Sequence, residues 1–156
     1  MLAYNSKKGI VSKAPYELYM AFVDMRNFVQ YLPEDKRSMI EADYDTIKVN
    51  VQGYSIGAKV LTRQPYSKLE LVDCGAPFAF KVTVNFDGTG AADKTEFSVD
   101  VEADLNFMMK MIIGNKIKDA LDKVVDGLVA VSEGRMPEGL DPSFADNFPG
   151  GFTGKA

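Results

Sequence analysis

The sequence predicts an α+β fold in which a curved antiparallel β-sheet wraps around one long C-terminal helix, with two short helices after the first strand. Two observations predict it. Apolar and polar residues alternate through five successive segments between Ile47 and Leu105, as in antiparallel strands with one buried face. Apolar residues then recur every three or four positions from Ile113 to Val131, which is the period of one helix face. This helix is the only predicted element large enough to cover the sheet.

The N-terminal elements are short. Residues 6–13 are predicted to form a strand, and Pro15 then stands where a first-turn proline is tolerated, because its missing N–H would be unpaired there. A helix is predicted from Tyr16 to Phe28, since apolar residues recur along one face at Leu18, Phe22, Met25 and Val29. Pro33 interrupts it. A second short helix, Glu34–Glu41, follows with an acidic start that suits the helix dipole.

The five central strands are separated by short turns that contain Gly or Pro, which predicts a meander in which sequential strands are neighbours. With the N-terminal strand, the expected sheet has five or six strands. The apolar phase of the five strands comprises Ile47, Val49 and Val51; Ile56, Ala58 and Val60; Leu69 and Leu71; Phe78, Phe80, Val82, Val84 and Phe86; and Thr95, Phe97, Val99, Val101, Ala103 and Leu105.

The long helix is predicted to run from a cap at Asn106 to about Ser132, with Gly134 as its stop. Its first part, Phe107–Ile113, is apolar nearly all round. We therefore expect this part to be buried on more than one side, or to face a ligand or a partner.

One domain is expected over residues 1–134, followed by a C-terminal tail over residues 135–156. The tail contains several prolines and glycines, so regular structure is not expected there. Three phenylalanines nevertheless recur every four residues, at Phe144, Phe148 and Phe152. We expect the tail to lie on the domain surface or on a neighbouring copy, with at least one ring buried.

Composition excludes several classes of function. The formal net charge is −4 with a pI near 4.9, which argues against nucleic-acid binding. The chain contains no histidine and one cysteine, Cys74. This removes Ser-His-Asp and Cys-His catalysis, the usual zinc and haem sites and an intramolecular disulfide. No cofactor, metal site or catalytic residue is predicted. No apolar run is long enough for a membrane span, so a cytoplasmic protein without integral membrane association is expected.

Two segments resemble a known superfamily. Val11–Pro33 reads VSKAPYELYMAFVDMRNFVQYLP, and Ala103–Lys116 reads ADLNFMMKMIIGNK. The first resembles the opening strand and proline-started helix of the SRPBCC superfamily, also called START-like, birch-pollen-allergen-like or polyketide cyclase-like. The second resembles its strand-to-helix junction. The resemblance spans about residues 5–132 and implies a helix-grip fold. Members bind lipids, polyketides, sterols or other apolar molecules in a cavity, and some are cyclases, aromatases or chaperone cofactors.

The expected function is binding of a small hydrophobic ligand, lipid-like or polycyclic, between the sheet and the C-terminal helix, with no chemistry of its own. The predicted ligand-binding residues are Phe80, Val82, Val84, Phe97, Val99, Val101, Met109, Ile113 and Ile117. The apolar pattern alone does not separate a cavity wall from a filled core.

Two alternatives stay open. One is a cyclase- or isomerase-type enzyme that uses Tyr and Asp, Glu or Arg in the cavity. An inward-facing acid would favour it, but the predicted strand phases turn the acids outward, and Arg63 with Lys59 onto the polar face. The other is an interaction module, in which the helix and the tail associate with a partner protein or a second copy of the chain.

Overall fold

The structure, a computed structural model, describes residues 1–27, 38–51 and 53–134, apart from the side chains of Val51 and Tyr54. The predicted tail lies outside the described residues. The elements are β1 (Leu2–Asn5), β2 (Gly9–Val11), α1 (Pro15–Phe22), β3 (Ile40–Ala42), β4 (Thr46–Val51), β5 (Tyr54–Gln64), β6 (Lys68–Asp73), β7 (Phe80–Gly88), β8 (Thr95–Ala103) and α2 (Phe107–Ser132).

Within the described ranges, eight strands form one curved antiparallel sheet in the order β1-β8-β7-β6-β5-β4-β3, with β2 also paired to β8. The predicted α+β architecture and the meander from β4 to β8 are confirmed. The sheet is larger than the five or six strands expected. One reason is that the strand predicted over residues 6–13 corresponds to β2 alone, and a further strand that was not predicted, β1, precedes it. Buried Ser6 separates them, and its hydroxyl and amide both bond to the backbone of Val99.

The prediction of a second helix over Glu34–Glu41 is wrong at its C-terminal end, where the structure has the third strand. Residues 34–37 of that helix lie outside the described residues, but Ile40–Ala42 form β3 and pair with β4. Ile40 lies opposite Val49, and Ala42 lies opposite Ile47. The strand is favoured because this pairing satisfies the backbone and turns both apolar side chains onto the inner face of the sheet.

The first helix is confirmed but ends at Phe22, whereas the sequence predicted Phe28. The Asn27 side-chain amide donates to the carbonyl of Ala21, and the amide of Met25 donates to the carbonyl of Tyr44. These bonds draw the chain out of the helix while Met25 stays buried in the core.

The long helix is confirmed in full. Its 26 residues begin after Asn106, whose side-chain oxygen accepts a hydrogen bond from the amide of Met109 at 2.8 Å. This is the bond expected of an N-cap residue. The chain leaves the helix at Gly134, whose φ of +82° suits glycine.

Candidate functional site

The C-terminal half of α2 is fastened to the edge of the sheet formed by β1, β2 and β8. The Lys7 ammonium lies 2.6 Å from an Asp126 carboxylate oxygen, and the Lys7 amide donates to Asp122 at 2.7 Å. The hydrogen bond and charge of Asp126 raise the pKa of Lys7. Gly9 leaves room for the helix, since a Cβ there would stand 2.6 Å from Val125 and 2.8 Å from Val129. The helix therefore packs directly on β2.

Beneath this half of α2 the interior is filled. Phe97 is fully buried, and its ring centroid lies 5.5 Å from that of Phe22 and 5.8 Å from that of Phe86. Val125 and Leu128 of the helix belong to the same cluster of buried residues. This end of the molecule is an ordinary hydrophobic core.

The inner face is different beneath the N-terminal half of α2. Val82 and Val101 are paired across β7 and β8 on the same inner face as Val84 and Val99, yet they are only half-buried. Four apolar residues of α2 that recur at four-residue spacing towards its N-terminus are also half-buried. These are Met109, Ile113, Ile117 and Leu121. Accessible apolar surface on the inner side of a sheet is what a ligand pocket offers.

The structure thus divides the nine predicted ligand-binding residues into three groups. Three of them lie in the filled core: Val84, Phe97 and Val99. Phe80 is buried outside that cluster, with its ring centroid 5.7 Å from that of Phe78, and Val82 packs against the border of the cluster. The remaining four are half-buried and lie outside the cluster: Val101, Met109, Ile113 and Ile117.

The described residues do not bury the apolar start of α2 on more than one side, so the other expectation, that it faces a ligand or a partner, stays a prediction. Its outward residues are between 50% and 79% exposed. They are Phe107, Met108, Met111 and Ile112. We call these four residues the outer apolar patch. The ion pair and hydrogen bond that join the helix to the sheet lie in its other half, and the four side chains of the patch stay exposed among the described residues.

Arg63 lies on the inner face of β5, whereas the sequence predicted the polar face. The register of β5 against β6 shifts between Val60 and Thr62, which places Arg63 opposite Leu69 on the inner face. Nε and Nη2 donate to the carbonyl of Val23, at 3.2 and 3.0 Å. Nη2 also donates to the carbonyl of Tyr44, and Nη1 donates to Asp45. A β-bulge inserts one residue and so reverses the phase of the rest of the strand, which alternation alone does not reveal.

Asp73 is an acid on the inner side, contrary to the expectation that all acids face outward. It lies opposite Ala58 at the end of β6. Its carboxylate accepts a hydrogen bond from the amide of Phe80 at 3.0 Å. The carboxylate therefore accepts the hydrogen bond of the first backbone amide of β7. The sequence signal was available, because Asp73 continues the alternation of Leu69 and Leu71.

Tyr4 was missed because β1 was missed. It lies opposite Val101 on the inner face, and its hydroxyl stands beside Gly114 of α2. Of the other four tyrosines whose side chains the structure describes, three lie on the surface and one lies in the core. Tyr16, Tyr44 and Tyr66 are exposed, whereas Tyr19 is buried, which raises the pKa of its hydroxyl. Cys74 is exposed and free.

The outward acids form surface pairs. Glu70 lies 2.7 Å from the Lys81 ammonium, and this hydrogen bond lowers the pKa of Glu70. No group of three or more His, Cys, Asp or Glu side chains in the described part of the chain is arranged to hold a metal ion. None of the helices in that part combines the length and apolar character needed to span a bilayer.

No family model matches the sequence, and no curated protein matches it. Solved structures do share its fold. A protein from Thermobifida fusca superposes with a TM-score of 0.61 at 9% identity, covering 83% of this chain and 91% of that chain. Norcoclaurine synthase from Thalictrum flavum, a point mutant in complex with a transition state analogue, gives 0.59 at 14% identity, covering 80% and 93%.

A START superfamily protein from Mycobacterium smegmatis gives a TM-score of 0.55 at 15% identity, covering 81% of this chain and 98% of that chain. Likeness at such identities concerns the fold alone. Together with the eight-stranded curved sheet and the long C-terminal helix, it shows that this chain has the helix-grip fold of the START-like SRPBCC proteins.

Proposed function

We propose that the protein binds a small hydrophobic ligand, lipid-like or polycyclic, between the sheet and the N-terminal half of α2. One observation carries the proposal. Apolar side chains that belong to the inner face, Val101 on β8 and Ile113 and Ile117 on α2, keep accessible surface although the other end of the same interior is filled. The shared fold with a START superfamily protein supports it.

The same residues suggest how a ligand is held. Burial of apolar surface contributes roughly 25 cal/mol per Å², so a ligand that covers these walls gains affinity from desolvation alone. Methionine at position 109 adds an adaptable side chain to the wall. Binding without chemistry is favoured because Asp73, an inner-face carboxylate, is already bonded to the backbone of Phe80.

A neutral apolar fluorophore, N-phenyl-1-naphthylamine, tests the proposal directly. Its emission is expected to rise on binding, and Ile117→Trp is expected to abolish the rise by filling the inner space. Ala120→Trp is the matched control, because position 120, three residues later on the same helix, is exposed and lies outside the predicted inner wall. Thermal melting of both variants establishes that they are folded. Equal fluorescence in the two variants would place the dye elsewhere and contradict the proposal.

An enzymatic function is the second candidate, and Asp73 is the observation that favours it. The fold is shared with norcoclaurine synthase, which is an enzyme, and Asp73 faces the inner side. A general base must reach the atom that it deprotonates. Mass spectrometry of a co-purified ligand before and after incubation tests this function. A product formed by the native chain and absent with Asp73→Asn would establish it, whereas an unchanged ligand favours binding alone.

We also propose that residues 1–134 form the ligand-binding domain and that the tail, residues 135–156, packs on the outer apolar patch. An α-helix rises about 1.5 Å per residue, so the patch lies about 30–38 Å from the end of α2. Extended chain spans up to about 3.3 Å per residue, so Phe148, fourteen residues after Gly134, reaches it. The patch and the phenylalanines of the tail then bury each other.

Truncation after Gly134 tests this packing. Loss of the tail is expected to lower the melting temperature and to increase binding of an apolar dye to the patch. Met111→Lys in the full-length chain should have a similar effect, whereas Lys116→Met is the control on the same helix. Sedimentation velocity shows whether the tail packs on its own chain or on a second copy. An unchanged melting temperature and sedimentation coefficient after truncation would contradict the proposal.

A further inference from the structure

We infer that the inner space recognises one end of its ligand through Tyr4 and Lys110, and that the ligand is an apolar molecule that ends in a carboxylate. This inference rests on the proposed function, because it concerns the same space. It assigns polar recognition to two residues at the open end of the interior.

Tyr4 reaches from β1 to α2. Its Cα lies opposite that of Val101, which fixes the side chain on the inner face of the sheet. The phenol oxygen lies 3.1 Å from the point that a Cβ of Gly114 would occupy, and the ring carbon that bears it lies 4.0 Å away. A side chain at position 114 would crowd the phenol, so the glycine lets the hydroxyl approach the helix backbone.

The Tyr4 hydroxyl has no hydrogen-bond partner among the described residues, and the side chain is half-buried. A phenol can donate one hydrogen bond and accept others. A polar group that is partly removed from water without a partner is costly to leave unpaired. An oxygen atom on a ligand in the adjacent apolar space would supply the missing acceptor.

The aliphatic stem of Lys110 lies beside the same point. The residue precedes Gly114 by one turn, and its Cγ lies 3.7 Å from the same Cβ position. One side of α2 carries residues at spacings of four, three and four, and it continues to Val125 in the core. These residues are Lys110, Gly114, Ile117 and Leu121.

Lys110 is also the only charged residue between Phe107 and Ile113. It is exposed, and no carboxylate of the described residues forms an ion pair with it. Glu102, on neighbouring β8, lies opposite Ala3 and Lys81 on the other face of the sheet.

The chemistry of this pair selects the ligand. A hydroxyl donor and an ammonium group beside one apolar wall match a carboxylate, which accepts hydrogen bonds from both and carries the complementary charge. An ester or a hydrocarbon of the same length would fill the apolar space equally but leave Lys110 without a counter-charge. The structure therefore favours a fatty-acid-like ligand over a neutral lipid.

Competition between hexadecanoic acid and methyl hexadecanoate for bound N-phenyl-1-naphthylamine, at neutral pH and below the critical micelle concentration, tests the inference. The native chain is expected to prefer the acid by about tenfold or more, the size of effect that a hydrogen bond to a charged group supports. Tyr4→Phe and Lys110→Met are each expected to reduce the preference several-fold and to leave the affinity for the ester unchanged. Tyr16→Phe and Lys116→Met, at exposed positions on α1 and α2, should keep the full preference.

The outcomes separate this inference from the proposed function. Equal affinity of the native chain for acid and ester, or a full preference in both Tyr4→Phe and Lys110→Met, would overturn the inference and leave the hydrophobic site in place. Failure of both ligands to displace the dye would overturn both. Because Tyr4→Phe keeps the aromatic ring, a native melting temperature is expected, and measuring it confirms that a changed preference is not a folding defect.

Discussion

The guanidinium carbon of Arg63 lies 4.2 Å from the centroid of the Tyr44 ring, while the same guanidinium donates to the carbonyl of Tyr44. Arg63 also bonds to Val23, just after α1, and to Asp45, in the loop between β3 and β4. One side chain on β5 thus joins the residue after α1 to the loop between β3 and β4.

Arg63→Lys is expected to lower the free energy of unfolding by about 1–3 kcal/mol, because an ammonium group cannot serve three acceptors in the planar geometry of a guanidinium. Urea denaturation measures the change. Arg26→Lys is the control, since Arg26 is 62% exposed and its side chain pairs with Asp24. Equal, small losses for the two variants would show that the Arg63 contacts contribute little to stability.

Phe97→Ala is expected to lower the free energy of unfolding by about 3–5 kcal/mol, since Phe97 is fully buried among aromatic neighbours. The affinity of the folded fraction for an apolar dye should change little, because Phe97 lies in the filled end of the interior. Met20→Ala, at a position 48% exposed on α1, should change stability by less than about 0.5 kcal/mol. A native denaturation midpoint for Phe97→Ala would contradict the inward phase of β8.

Gly9→Ala is expected to destabilise the protein by about 1–3 kcal/mol, since the new methyl group would press on Val125 and Val129 and push α2 from the sheet. The double variant Gly9→Ala/Val129→Ala should recover part of the loss. Gly88→Ala is the control, because a Cβ there meets nothing within 4 Å. Thermal denaturation of the three variants decides the matter, and a stable Gly9→Ala would show that the helix does not pack closely on β2.

Asp43 is expected to contribute to acid sensitivity. Hydrogen bonds from Thr46 and from the amide of Asp45 hold the pKa of Asp43 below its usual value. Because the folded pKa is depressed, the carboxylate stabilises the fold above its unfolded pKa of about 3.9, and this contribution disappears as the pH falls through the folded pKa. Asp43→Asn should therefore show a shallower fall in stability below about pH 4. Asp87→Asn, on an exposed strand end, is the control. Identical acid profiles for the native chain and Asp43→Asn would contradict this assignment.

The long periodic signals were sufficient to predict the main elements. Alternation over nine residues of β8, and a helical period sustained between Asn106 and Gly134, leave few competing structures. The short strands were not predictable in this way. β3 has three residues, and its conformation depends on backbone partners in β4 that are near in space but are not part of any local pattern.

The site was harder to predict than the fold because two of its determinants are not periodic. The bulge between Val60 and Thr62 turned Arg63 inward, and the contact between Tyr4 and Gly114 joins positions more than a hundred residues apart. The apolar pattern also assigns Phe97 and Val101 to the same face without distinction. One is sealed in the core and the other is half-buried, and the difference depends on how closely α2 approaches each end of the sheet.

The ion pair and the core contacts of α2 lie in its C-terminal half, and this has an evolutionary consequence. Residues that hold the chain together, such as Val125 and the Lys7–Asp126 pair, are separate from those of the proposed ligand site, such as Met109 and Ile117. Substitutions in the second group can reshape the proposed ligand site without weakening the contacts of the first group. Descendants of such a chain can therefore drift from one ligand to another in small steps, each of which leaves a folded protein.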